Sequence, residues 1–454
     1  MTASKSKTLI NDMTVGPVLS TLTRFAVPIM LANLLQAVYS MVDMIVVGRF
    51  CGAAGLSAVG IGGQLLTLML TIAMGFCNGA QTVISQQVGM KSEKISRTIG
   101  TLLTTVMLLA VIVGAIGIGF HTQILQLMNT SDAAWSQAVS YMVICCCGML
   151  FIYGYNALCA ILRGMGESRL PLVFVAVASV VNIFLDLLFV GGFGLEAAGA
   201  AAATVISQCL SFVCAAVYLY RHKDAVGFDF RLKSFAVDPE QLKALCRLGI
   251  PYVVQNFLIT FSITFINSRV NSFGVAASAV DSVGGKLNTV MNIVTGSISA
   301  ASATMIGQCF AARKMDRVKQ AYWACWVINM TWFVILAACY LLFPKTIFGF
   351  FTDDADVIAL APTYLRLACV WLLALCSMDA PFSLVSGIGF ASFNLIVGLL
   401  DGVAARIGLS LLFGSLMGLP GYWLGNSLAG FVTTIPMTIY YFTGWWKKRE
   451  AVTK

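Results

Sequence analysis

Residues 169–192 read RLPLVFVAVASVVNIFLDLLFVGG, and this one stretch tells what kind of chain it belongs to. Only Arg169 and Asp186 carry charge along it. The run is long enough for a helix to cross hydrocarbon, which takes about 20 apolar residues. It shows none of the alternation that marks a strand of a membrane barrel. Similar runs recur on either side of it, and they begin near Val18, Ser57, Arg97, Ser136, Arg169, Ala197, Arg247, Ala279, Gln320, Ala361, Ser392 and Tyr422. Twelve spans are therefore expected in an all-α integral membrane fold.

Composition agrees. Of the 454 residues, 59% are hydrophobic and 10% charged, against about 25% charged in an ordinary globular domain. A mean hydropathy of +0.88 leaves too little polar surface for a chain dissolved in water. Met1 to Gly16 is polar and lacks the apolar core and small-residue site of a signal peptide, so the first span is expected to stay in the mature protein. The 14 cysteines lie mostly in apolar runs, with no zinc-type CxxC spacing, and read as small buried hydrophobes. Only His121 and His222 are histidines, both in expected loops. With no metalloprotease, serine-hydrolase or phosphate-loop motif either, no enzyme and no resident metal or cofactor is expected.

Charge placement orients the spans. With the N-terminus in the cytoplasm, 22 of the 28 basic residues fall inside. They are Lys5, Lys7, Arg24, Lys91, Lys94, Arg97, Arg163, Arg169, Arg221, Lys223, Arg231, Lys233, Lys243, Arg247, Arg313, Lys314, Arg317, Lys319, Lys447, Lys448, Arg449 and Lys454. Arg49, Arg269, Lys345 and Arg366 fall outside. This is the positive-inside pattern of a multi-pass protein of the cell membrane with both termini cytoplasmic. It accounts for the net charge of +9 without nucleic acid as a partner.

The second half repeats the first at an offset of 222 to 223. Arg24-Phe-Ala-Val-Pro28 matches Arg247-Leu-Gly-Ile-Pro251, and Asn33 matches Asn256. Gly62-Gly-Gln-Leu-Leu-Thr-Leu-Met69 matches Gly284-Gly-Lys-Leu-Asn-Thr-Val-Met291, and Arg163-Gly-Met-Gly166 matches Ser386-Gly-Ile-Gly389. Six spans per half make the repeats parallel. Residues 1–222 are read as an N-terminal six-helix lobe, 223–246 as a cytoplasmic linker and 247–454 as a C-terminal six-helix lobe. Two such bundles suit alternating access. Pro28 and Pro251 sit inside their spans, where a missing N–H permits a bend. Gly75/Gly79 and Gly421/Gly425 are GxxxG pairs that could pack helices within or between monomers.

Ionisable residues inside a span are costly and stand out as functional candidates. Asp43 lies about one turn before the first span exits. Asn182 and Asp186, four apart on the fifth span, share a face. Thr204, on the returning sixth span, comes to a similar depth. Together they make an oxygen-lined place for a small hard cation, and two carboxylates in a poorly solvated setting are suited to carrying a proton. A hydrogen-bonded structural cluster is the plainer alternative. The repeat places Ile266, Ala405 and Leu409 opposite Asp43, Asn182 and Asp186, so the cation site is expected in one half only. In the other half Lys286, Asp379, Asp401 and Arg406 could form a polar network, or Asp379 could serve substrate or a second proton. Asp281 is read as solvated near the outer surface.

On these residues the chain resembles the multidrug and toxic compound extrusion (MATE) family over essentially its whole length. The first-half set of Pro28, Asp43, Asn182-x3-Asp186 and Thr204 is similar to the cation site of prokaryotic members, the DinF-like branch nearest. The Arg163-Gly-Met-Gly-Glu-Ser168 turn is similar to the family's turn after its fourth helix. The resemblance implies twelve helices in a V-shaped pair of lobes that export organic, often cationic, compounds in exchange for Na⁺ or H⁺. Leu258-Ile259-Thr260 lacks the acidic residue that the NorM-like branch carries there, whereas Met378-Asp379-Ala380 looks like that branch's tenth-helix aspartate. The expected partners are small organic substrates and membrane lipid, and the chain is expected to act as a monomer. A lipid-linked saccharide flippase is the alternative from the same superfamily, though only Lys286 and Arg406 are basic deep in the spans. A membrane-embedded enzyme using Asp379 with Asp401 is a third reading.

Overall fold

The computed structural model describes residues 11–452, so Lys5, Lys7 and Lys454 lie outside the described residues. Among the described residues the chain is helical, with no strand. The main helices of the first half are α1 (Val18–Met90), α2 (Ile95–Gly119), α3 (Asp132–Cys147), α4 (Met149–Gly164), α5 (Arg169–Asp186) and α6 (Glu196–Arg221). The second half contains α7 (Pro239–Asn271), α8 (Val275–Ala311), α9 (Met315–Leu342), α10 (Ala355–Gly387), α11 (Ala391–Leu399), α12 (Arg406–Met417) and α13 (Leu419–Thr443). A π-helical turn, Leu187–Gly192, extends α5, and another, Leu400–Ala405, joins α11 to α12.

Nine helical stretches among the described residues are long and apolar enough to cross a membrane. α1, at 73 residues, counts once among them but is two spans end to end, broken at Gly52. α3 and α4, bent by 50°, together make a further span. α13 is 25 residues long, and its Trp, Tyr, Thr and Pro residues dilute the aliphatic content. The count is therefore the expected twelve. At Gly52 the backbone takes φ 66° and ψ −158°. A Cβ there would meet nothing within 4 Å, so the left-handed backbone and not crowding calls for glycine.

The chain divides into two compact units. The first is Leu31–Gly249 with Asn11 and Asp12, and the second is Met13–Met30 with Ile250–Val452. This differs from the expected boundaries in two places. The start of α1, through Pro28, belongs to the second unit, and the start of α7, up to Gly249 beside Pro251, belongs to the first.

Each unit has its own apolar core. In the first, Val46, Val47, Tyr141, Cys145, Cys146 and Ala200 pack together, the thiols serving as small hydrophobes. In the second, Leu22, Phe25 and Ile29 pack with Met305, Phe310 and Leu384. Polar bonds fix the entry to α1: the Met13 N–H donates to Gln308 Oε1 at 2.9 Å. Arg317 donates to the carbonyls of Met13, Val15 and Gly16 at 3.0, 2.7 and 2.6 Å. Lys314 donates to the Thr14 carbonyl at 2.9 Å. Both GxxxG pairs pack inside a unit. A Cβ on Gly421 would stand 1.9 Å from the Phe413 carbonyl oxygen, and one on Gly79 3.2 Å from the Gly249 nitrogen.

The polar stretch read as a linker is folded onto α2. Phe228 packs edge-on against Phe230 and Phe235, with ring centroids 4.7 and 5.3 Å away. Thr104 Oγ1 donates to the Phe235 carbonyl at 2.6 Å, and Thr101 Oγ1 accepts from the Asp238 N–H at 3.0 Å. Hydrogen bonds from the Ser234 hydroxyl and the Arg231 N–H hold the Asp229 carboxyl below the usual carboxylate range. The docking rests on Gly100, where a Cβ would lie 1.8 Å from the Ser234 carbonyl oxygen. Gly100→Ala is expected to lift this segment at a cost of about 1–3 kcal/mol. Trypsin should then cut faster at Arg231 and Lys233 in detergent, and unchanged cleavage would contradict the contact.

Candidate functional site

In the first unit α1 presents Asp43, and Tyr39 one turn earlier on the same face. α5 presents Asn182 and Asp186, the latter immediately before the π turn Leu187–Gly192. α6 presents Thr204 and, one turn on, Gln208. All four expected residues are buried: Asp186 is 0% exposed, Asn182 1%, Asp43 7% and Thr204 8%. Asp43 and Asp186 lie within electrostatic reach of each other, and both act on Tyr39. Asp43 also acts on Tyr141 of α3. Gln208 Nε2 donates to Tyr39 Oη at 3.5 Å, tying α6 to α1.

Asp43 Oδ1, both carboxylate oxygens of Asp186 and both amide atoms of Asn182 have no hydrogen-bond partner among the described residues. Buried polar atoms are ordinarily paired, and a buried carboxylate is costly until neutralised. Several such atoms in one cluster give a place where a small cation or a proton lowers the energy. The donors are oxygens and one amide. Among the described residues no group of three or more His, Cys, Asp or Glu gathers as a transition-metal site would need. Tyr39, Tyr141 and Gln208 join the cluster without having been singled out in the sequence. Their signal was the four-residue spacing of Tyr39 from Asp43 and of Thr204 from Gln208.

The corresponding place in the second unit is built differently, although much of its burial pattern follows that of the first. Buried Pro171, Phe174, Val175, Ala178 and Ser179 are matched by buried Asn394, Val397, Gly398, Asp401 and Gly402, at a constant offset of 223. Beyond the π turn Leu400–Ala405, buried Asn182, Asp186 and Val190 are matched by buried Arg406, Ser410 and Gly414, at 224. Ala405 is buried as well, so Asn182 meets a buried residue at either offset, while buried Ser410 and not half-buried Leu409 follows the burial of Asp186. Ile266, opposite Asp43, is buried and apolar.

Arg406 Nη2 donates to both carboxylate oxygens of Asp401, at 3.1 and 3.2 Å, and Nη1 donates to Asn426 Oδ1 at 2.8 Å. Residues five apart on an α-helix point roughly 140° away from each other. In a π turn, with its i→i+5 bonding, they fall on one face. The turn and the ion pair thus depend on each other. Of the expected four-residue network, only these two are joined. Lys286 is exposed on α8, and Asp379 is buried on α10, where its carbonyl accepts from Ser299 Oγ at 3.2 Å. Neither forms an ion pair with the other two among the described residues, because neither lines the cavity onto which Asp401 and Arg406 open. Asp281 is not simply solvated either. It is partly buried and lines a cavity with Asn267, Trp423 and Arg406.

Two six-helix units carrying buried charge define a multi-pass membrane protein of the transporter kind. The sequence profile of the MatE family matches residues 28–188 and 251–401, and the chain belongs to that family. It is 27% identical over 449 residues to the probable multidrug resistance protein YpnP of Bacillus subtilis, covering 98% of this chain and 99% of that one. The multidrug export protein MepA of Staphylococcus aureus is 22% identical over 424 residues, covering 92% and 90%. Among solved structures, a MATE in complex with MaD3S superposes with a TM-score of 0.88 at 22% identity, covering 99% of this chain and 100% of that one. A MOP superfamily transporter from Pyrococcus furiosus, described as having a binding pocket of reversed polarity, gives 0.89 at 21% identity over 99% and 100%.

A cation held by the Asp43–Asp186 cluster should stabilise the fold by mass action, about 2.7 kcal/mol at a hundred times its dissociation constant. The melting temperature of the purified protein is expected to respond to Na⁺, against choline at equal ionic strength, or to proton concentration. The double variant Asp43→Asn/Asp186→Asn should lose that response. A double variant that responds as the wild type does would show that the cluster holds no cation.

Proposed function

We propose that this chain is a secondary active exporter that moves small organic, often cationic, compounds out of the cell in exchange for Na⁺ or H⁺. The observation that carries the proposal is the buried Asp43–Asp186 pair, of which Asp43 Oδ1 and both Asp186 carboxylate oxygens have no hydrogen-bond partner among the described residues. Such a pair is neutralised by an ion that can come and go. Asn182 and Thr204 complete its oxygen lining. Occupation would change the packing of α1 around Asp43 and the bend at Pro28, and so shift the balance between two access states. The relatives named for multidrug resistance and export support the same substrate class.

In this reading the chain is a monomer in the cell membrane with both termini in the cytoplasm. It carries out no covalent chemistry, needs no cofactor beyond the coupling ion, and meets organic substrates and lipid but no nucleic acid. The flippase alternative is weakened by charge. Pyrophosphate asks for several free cationic groups, while Arg406 is already paired with Asp401.

In liposomes, a fluorescent organic cation is expected to move when either a Na⁺ or a pH gradient is imposed. Asp43→Asn and Asp186→Asn should each cut that movement by about tenfold or more, the size of losing one charged partner in a buried site, while still inserting. Full coupled transport by both variants would overturn the mechanism.

A further inference from the structure

The face of α2 that holds the linker runs on toward the middle of the membrane. By three- and four-residue spacing, Arg97, Gly100 and Thr104 share that face with Leu108 and Val111. Leu108 and Val111 are aliphatic and 59% and 57% exposed, as side chains that meet lipid are. No charged residue follows Arg97 on α2. Residues 234–238 therefore lie over the first turns of a lipid-facing stripe. Ser234 packs on Gly100 and Phe235 bonds to Thr104, about 5 and 10 Å along the axis from Arg97. The apolar face of an interfacial segment lies at the same depth, about 5–10 Å into the headgroup and acyl boundary.

What the segment turns outward suits that depth. Leu232 is 92% exposed, more than any other large hydrophobic side chain among the described residues. Behind it Phe228, Phe230 and Phe235 pack together, and half-exposed Tyr220 meets Phe230 edge-on with ring centroids 5.8 Å apart. Exposed Arg231 and Lys233 flank Leu232. Their stems can lie along apolar surface while the charge reaches headgroup level. Arg231 meets Asp229 at 3.6 Å, and Lys233 has no ion pair among the described residues. From Tyr220 to Ala236, four basic residues stand against two acidic ones.

We propose that residues 228–237 are an interfacial anchor that binds anionic glycerophospholipid in the leaflet on the linker's side of the membrane. Leu232 enters the acyl chains, and the Lys233 ammonium holds the lipid phosphate with help from Arg231. The aromatic cluster and the missing Cβ at Gly100 fix the backbone at the depth this requires. Lipid, and not a soluble partner, is the occupant because the surface next to Leu232 is the aliphatic stripe of α2. The segment joins the two halves of the chain, so lipid held here fixes where the linker lies as it leaves α6. None of this depends on the export reading.

The test is fluorescence quenching in the full-length chain held in phosphatidylcholine nanodiscs. With 14 native cysteines and 8 tryptophans, the probe is best a genetically encoded dansylalanine. It is placed at Leu232 and, as a control, at exposed Asp224, so neither substitution disturbs packing. Lipid carrying a nitroxide at the fifth acyl carbon is expected to quench position 232 more than position 224, and aqueous iodide the reverse. At position 232, nitroxide-labelled phosphatidylglycerol should be preferred over labelled phosphatidylcholine by about fivefold, the worth of one basic side chain near anionic lipid. Lys233→Gln should bring the two lipids level while the acyl quenching stays. Iodide quenching at 232 as strong as at 224 would put the segment in water and overturn the anchor. Acyl quenching with no preference for phosphatidylglycerol, or with a preference that survives Lys233→Gln, would overturn the anionic-lipid site.

Discussion

Hydrocarbon offers a peptide group no hydrogen-bond partner, so a chain that crosses it must satisfy its own backbone. That constraint accounts for the absence of strands among the described residues and for long helices that continue past Pro28 and Pro251. It also makes the exceptions informative. Glycine at position 52, two π turns and a set of unpartnered buried side chains are the places where the simplest solution is set aside. Both π turns adjoin buried charge, with Asp186 just before one and Asp401 within the other.

The two units treat the same problem in opposite ways. In the first, Asp43 Oδ1 and both carboxylate oxygens of Asp186 have no hydrogen-bond partner among the described residues. In the second, a guanidinium built into the chain already sits beside Asp401. The cation is in effect tethered. The cost of burying Asp401 is thus met locally, within one turn of its own helix.

Much of this was legible in the sequence. The length of each apolar run gave the twelve spans, and the four-residue spacing of Asn182 and Asp186 gave their shared face. What escaped had a physical reason in each case. A π turn leaves no mark in composition, so the pairing that it allows between Asp401 and Arg406, five residues apart, could not be seen from the repeat. Lys286 and Asp379 were grouped with Asp401 and Arg406 because all four are ionisable and deep in spans, but depth does not fix the direction a side chain faces. The docking of residues 232–235 on α2 depends on a missing Cβ at Gly100, and a lone glycine in an apolar helix reads the same whether or not another backbone crosses it. Membership of the first residues of α1 in the second unit is a long-range fact that no local pattern carries.

That last feature has a consequence in time. Gln308, Lys314 and Arg317, which grip Met13–Gly16, lie 295 to 304 residues downstream of what they hold. A ribosome adding about 5–20 residues per second needs roughly 15–60 s to reach them. For that interval the opening turns of α1 are made but unclaimed, while the first unit can already assemble. An N-terminal half severed at the linker would carry the same orphaned segment permanently. Met13–Gly16 are thus among the last residues to find their place.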